Sequence, residues 1–234
     1  GFAASVESIG VTGICGSAII EALAEMYLTG IINQDGVIDG AMAARSLRIQ
    51  PTGRTFSYLL HEGEPTLRIT QNDVRAIQLA KAALYAGARL LMDRMGVEAV
   101  DRITLAGAFG SHIDVKYAMI LGMIPDCDLK KVTSAGNAAS TGARIALLNR
   151  KARTEIERVV KQVEKVETAV EPRFQQHFVE AMAIPHKTAP YPNLRKAVPL
   201  PAPKSVTPAE PAEGGRRRRR SRGEVSAPGS EAAE

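Results

Sequence analysis

The stretch "ITLAGAFGSHIDV", residues 103–115, decides how this chain is read. A short apolar run enters a turn nearly free of large side chains, Gly107-Ala108-Phe109-Gly110-Ser111, and leaves into a helical pattern. Two explanations fit such a corner. A strand–turn–helix joint needs glycine only for its backbone freedom. A flat ligand such as a nucleotide needs bare backbone at the point of approach. A second corner of small residues lies in "SAGNAASTGARIALLN", residues 134–149, after a short strand pattern at about 131–134 and before another helix. Open α/β sheets bind ligands beyond the carboxyl ends of their strands, and free N–H groups at helix starts attract phosphate. Neither G-x-x-x-x-G-K-[ST] nor G-x-G-x-x-G occurs, so a P-loop and a dinucleotide fingerprint are both excluded.

On either side of these corners strands and helices alternate, which predicts an α/β layered domain. Residues 17–29, "SAIIEALAEMYLT", set Ile20, Leu23, Ala24 and Tyr27 on one helical face, with Ser17 placed to cap the start and Gly30 to end it. The segments "TFSYLL" and "TLRIT" read as strand or hairpin pieces. Thr70 and Asp73 fit a capping box. It opens the longest helical pattern, through about Met95 and closed by Gly96. Ile77, Ala80, Leu84, Ala88, Leu91 and Met95 recur along it and predict the core-facing stripe. Gln78, Lys81 and Tyr85 form a second stripe on an adjacent face. A strand is expected at about 102–106 and a helix from about Asp114 to Leu121. Further on, "RTEIERVVKQVEKV" is helical, and "PRFQQHFVEAMAIP" is expected to bury Phe174, Phe178 and Met182.

Composition narrows the function classes. The net charge of +5 belongs wholly to residues 187–234, where ten Lys/Arg face five Asp/Glu; the preceding residues carry twenty of each. The body therefore has no electrostatic footprint for nucleic acid, and aromatics at 4% do not suit a base-stacking platform. Residues 187–234 hold eight of the thirteen prolines and few large apolar groups, so they are expected to be a disordered tail beyond a body of residues 1–186. Within it "RRRRRSR", residues 216–222, is a weak candidate for touching nucleic acid or acidic lipid heads, and a merely solubilising tail is the favoured reading. No apolar run reaches the roughly 18–20 residues of a membrane span. The only cysteines are Cys15 and Cys127, with no metal-binding spacing, which favours a reducing, cytoplasmic setting. Cys15 is expected to be a small buried residue. His61, His112, His177 and His186 show no ligand spacing, and no metal site is expected. The chain opens at Gly1 rather than Met, as a piece of a longer protein would.

Four blocks occur in order: "GICGSAIIEALAEMYLTGII", "ITQNDVRAIQLAKAALYAGARLLM", "ITLAGAFGSHIDVKYAMILGMIPD" and "AGNAASTGARIALLN". They resemble the C-terminal ATPase domain of reductive activators of corrinoid-dependent proteins, part of the acetate/sugar kinase–Hsc70–actin (ASKHA) superfamily. The resemblance covers roughly Val11 to Pro185. It implies part of an actin-like, ribonuclease H-like lobe, a mixed sheet flanked by helices. It implies ATP or ADP with Mg²⁺, shared with a lobe outside this chain, and a [2Fe–2S] cluster only in a further N-terminal domain. It implies a corrinoid protein or corrinoid-dependent methyltransferase as partner, and a whole protein that returns inactive Co(II) corrinoid to Co(I) for methyl transfer. This segment alone is expected to be inactive and to bind ATP more weakly than the micromolar range.

The resemblance also assigns roles. Gly107, Ala108, Phe109 and Gly110 look like the superfamily's adenosine motif. Gln78 and Lys81 sit where chaperone-type members contact adenine and ribose, and their i,i+3 spacing sets them on one face. Ala139, Gly142 and Ala143 resemble the second connecting motif, a hinge. The sequence departs from the family at Ala108 and Ala18, where glycine is usual. Two rival readings remain. A small-molecule kinase of the same superfamily needs a catalytic carboxylate, and Asp114 is the only nearby candidate, though its helix-start position suits a cap. A non-enzymatic, nucleotide-responsive binding module needs only the corner and the tail.

Overall fold

The computed structural model describes residues 10–107, 110 and 112–202. Helix α1 spans Gly16–Leu28 and buries Ile20, Leu23, Ala24, Met26 and Tyr27. It begins one residue before Ser17, so Cys15 holds the cap position and Ser17 does not; no side chain caps that end. Three strands follow, β1 (Ile49–Thr52), β2 (Thr55–His61) and β3 (Leu67–Thr70), as an antiparallel sheet in that order. Helix α2, Gln71–Arg94, starts on the expected capping box. Thr70 accepts from the Asp73 amide and the Asp73 carboxylate accepts from the Thr70 amide.

The second sheet is a parallel pair, β4 (Ile103–Leu105) and β5 (Val132–Ser134), in register from Ile103↔Val132 to Leu105↔Ser134. Between them α3, Val115–Leu121, is capped by Asp114, whose carboxylate accepts from the amides of Lys116 and Tyr117. Beyond β5 come α4 (Ala138–Leu148), α5 (Arg150–Val160), α6 (Pro172–Ala181) and α7 (Pro192–Ala197). The α/β class and the order of elements are therefore as expected, with the sheet divided in two. Among the described residues no helix is long and apolar enough to cross a membrane.

Burial corrects three expectations. On α2 the stripe of Leu84, Leu91 and Met95 is exposed, at 53%, 52% and 77%. The face that goes inside carries Val74, Gln78, Lys81, Ala82, Tyr85 and Ala86. The reason is the partner: this face lies against α6 and the chain that follows it, whose carbonyls take up the polar ends of Gln78 and Lys81. On α6 it is His177 and Ala181 that are buried, while Phe174, Phe178 and Met182 are half-buried at the edge. The compositional boundary at 186/187 cuts through packed structure. Tyr191, Leu194 and Val198 belong to the core, a few large residues anchoring a proline-rich stretch whose average composition hides them. The arginine run and the rest of residues 203–234 lie outside the described residues.

Candidate functional site

The two glycine corners lie side by side because β4 and β5 are parallel and end together. The Ala135 amide donates to the Leu105 carbonyl and the Gly107 amide to the Gly136 carbonyl, each at 2.8 Å. The ladder thus continues past both strands into both turns. Gly107 has φ +117°, which L side chains rarely adopt, and a Cβ built on it meets nothing within 4 Å. Gly107 therefore leaves open space beside it, and glycine is needed there for its backbone. Gly110 differs: a Cβ there would stand 3.2 Å from the Leu105 Cβ, so it serves a close turn. Ala108, Phe109 and Ser111 lie outside the described residues.

The space over Gly107 is an open groove of about 340 Å³. Ala106, Gly107 and Gly110 form its floor; Leu84 of α2, Ile113, Met123 and Ile124 are among its walls. This is a largely apolar slot, the usual chemistry of a small-molecule pocket. Leu84 and Met123 are site residues that the sequence does not mark as such: the first falls in the apolar stripe of α2, and the second carries no signal beyond its place in a matching block.

Gln78 and Lys81 are brought together but not into the groove. Each is 1% exposed. Gln78 Nε2 donates to the carbonyls of Asp35 (3.0 Å) and Met182 (2.9 Å). Lys81 Nζ donates to those of Ala183 and Pro185, the latter at 2.9 Å. Burial pulls the Lys81 ammonium down to about 7. Their donors are thus committed to holding backbone, which corrects the expectation of nucleotide contact.

Ala139, Gly142 and Ala143 lie on α4 just past the second corner, where Asn137 Oδ1 caps the helix by accepting from the Ser140 amide at 3.0 Å. No residue of α4 is buried, and a Cβ on Gly142 meets nothing within 4 Å. Cys15 is exposed rather than buried, and its hydrogen bond with Ser17 holds its thiol below the ordinary value. Cys127 is buried, which raises its thiol. Asp114 is engaged as a cap. Among the described residues no group of three His, Cys, Asp or Glu converges as a metal site.

A family model described as the C-terminal domain of RACo, the ASKHA domain, matches residues 3–195. A relative from Eubacterium limosum, "Corrinoid activation enzyme RamQ", is 32% identical over 179 residues, covering 71% of this chain and 30% of that protein. A solved structure titled "Reductive activator for corrinoid,iron-sulfur protein" is similar with a TM-score of 0.66 at 35% identity, covering 74% of this chain and 28% of that one. The chain spans less than a third of the length of either relative.

Proposed function

The chain belongs to the family of C-terminal ASKHA domains of RACo, and from that membership we propose that it supplies part of the nucleotide cleft of a corrinoid activator. The whole protein, in this reading, uses ATP to return a Co(II) corrinoid protein to Co(I) for methyl transfer. The relatives named as corrinoid activators support the class of partner. The observation that carries the nucleotide is the bare floor at Gly107, opening at the shared carboxyl end of two parallel strands.

The groove fits an adenine and ribose better than it fits phosphate. Its walls are mainly aliphatic and its floor is backbone. Ala106 and Gly107 leave room for a ring to lie flat, Leu84 and Met123 exclude water from its edges, and Ala108 and Phe109 complete the motif. When bound, ATP supplies the free energy of its own binding and hydrolysis to the whole protein. In this reading phosphate and Mg²⁺ are gripped by the remainder of the cleft, and a [2Fe–2S] cluster belongs to a further domain. The small residues Ala139, Gly142 and Ala143 let α4 slide as the cleft closes, a hinge that converts nucleotide binding into a population shift. Two cysteines with free thiols suit a cytoplasmic setting.

The kinase reading is weaker because Asp114, its carboxylate, already accepts from the amides of Lys116 and Tyr117. The deciding experiment titrates the whole protein with ADP by calorimetry, wild type beside Ala106→Phe, and follows ATP-dependent formation of Co(I) optically. Wild type should bind, and the variant should lose about tenfold or more in affinity, roughly 1.4 kcal/mol, at an unchanged melting temperature. Equal binding by the two proteins, or Co(I) formation independent of ATP, rejects the reading.

A further inference from the structure

We infer that the segment after α6, residues 182–194, is a strap that positions the Met123–Ile124 wall of the groove, with Lys81 and Tyr191 as positioning residues that do not touch the ligand. The inference rests on the nucleotide reading of the groove, and adds to it residues outside the adenosine motif.

The strap is irregular until it enters α7, and it buries Ala183, Ile184, Pro185, His186 and Tyr191. Ile184 and Tyr191 are each 1% exposed. Irregular buried backbone must find partners for its carbonyls, and here side chains from distant elements supply them. Gln78 takes the Met182 carbonyl, and Lys81 takes those of Ala183 and Pro185. Gln34 takes that of His186 at 2.9 Å, while its own carbonyl accepts from the Ile184 amide at 2.8 Å. A lysine bonded to two carbonyls and, among the described residues, to no carboxylate fixes a backbone path at two points.

The other side of the same strap grips the chain leaving α3, at every second residue. Gly122 abuts the Pro185 carbonyl so closely that no Cβ fits between them. The Tyr191 hydroxyl donates to the Ile124 carbonyl at 2.9 Å. The Asp126 carboxylate accepts from the amides of Asn193 (2.9 Å) and Leu194 (3.0 Å). Residues 122, 124 and 126 are thereby clamped, and the groove-lining Met123 and Ile124 lie within the clamped run. Lys81 sets the strap, and the strap sets the wall.

The test compares the whole wild-type protein with Tyr191→Phe, Lys81→Met and, as a control, Thr188→Val. The control removes a bond from the Thr188 hydroxyl to Glu180 of α6, neither of which lines the groove. Two quantities are read: amide hydrogen exchange over residues 122–127, and affinity for ADP. One lost hydrogen bond corresponds to about fivefold in an equilibrium. Tyr191→Phe should therefore speed exchange in that run and weaken ADP about fivefold; Lys81→Met should do at least as much, and Thr188→Val neither. If Lys81→Met does not fold, Tyr191→Phe decides alone. Lowered thermal stability with exchange at 122–127 and ADP affinity both unchanged overturns the inference, as does faster exchange with unchanged affinity. If wild type binds no ADP, the nucleotide reading falls. Exchange at 122–127 then still judges the strap: faster in Tyr191→Phe upholds the clamp, and unchanged rejects it.

Discussion

A methyl group built on Gly122 would stand 1.9 Å from the carbonyl oxygen of Pro185. Gly122 also ends α3 at φ +74°, the left-handed region. Gly122→Ala therefore meets two separate costs, about 1–2 kcal/mol for the backbone and the displacement of a buried strap. Stability in urea should fall by about 3 kcal/mol or more. Gly122→Asn tolerates the backbone but not the clash, and should be nearly as damaging. If Asn restores wild-type stability, the contact with Pro185 is not limiting.

The same contact shows what the sequence could and could not carry. The capping box at Thr70, the cap at Asp114 and the two strands that each run into a small-residue corner are legible, because each depends on residues close together in the chain; the parallel pairing of those strands, from Ile103↔Val132 onward, is a long-range contact and is not. Nor is the buried face of α2. Hydrophobic periodicity chose Leu84, Leu91 and Met95 and passed over Gln78 and Lys81, since polar residues score as surface. Their partners, the carbonyls of residues 182–185, lie about a hundred positions away on a segment with no periodicity. Long-range satisfaction of irregular backbone leaves no local pattern. Leu84 shows the converse: it was counted as core for its place in a stripe, and it lines the groove instead.

Lys81 should give stability a distinct alkaline dependence. Burial holds its ammonium at about 7, against 10.5 for an ordinary lysine. Between these values the unfolded chain binds more protons than the folded one, so stability rises with pH across that window. The rise is on the order of 4 kcal/mol at most. Above about pH 10 the phenols of Tyr85 and Tyr191, which burial raises, oppose it. Urea unfolding of wild type at pH 7 and 9.5 should show the rise, and Lys81→Met should abolish it while keeping the decline above pH 10. An unchanged slope in the variant would show that another group is responsible.

Asp93 ties α2 to α6. Its carboxylate meets Arg89 at 3.0 Å, Arg173 at 2.9 Å and His177 Nε2 at 2.7 Å. Burial would raise this carboxyl, but the His177 hydrogen bond and the Arg89 and Arg173 charges outweigh it and hold it below the ordinary range. Asp93→Ala leaves His177 buried without its partner and should cost about 3 kcal/mol. Arg173→Ala removes only the exposed cation and should cost under about 1 kcal/mol. Equal losses from the two, measured by thermal unfolding, would contradict this ranking.

His186 gives the acid side. Its Nδ1 accepts from two amides, Thr188 at 3.2 Å and Ala189 at 2.9 Å, so protonating that nitrogen breaks both bonds. The ring packs at a tilt against Tyr85 with centroids 4.7 Å apart, and Nε2 is buried with no hydrogen-bond partner among the described residues. Burial, reinforced by the nearby Lys81 charge and opposed by Glu180, lowers the imidazole from 6.5 to about 4. In that window the unfolded chain takes up the proton first, so the stability His186 contributes is present above 6.5 and is lost as pH falls toward 4. The loss should be about 2 kcal/mol between pH 7 and 4.5. His186→Asn keeps an acceptor for the two amides and cannot titrate, so its unfolding midpoint should change much less over the same interval. A variant that follows the wild-type curve point for point would transfer the acid sensitivity to the carboxylates, Asp93 and Glu180 first among them.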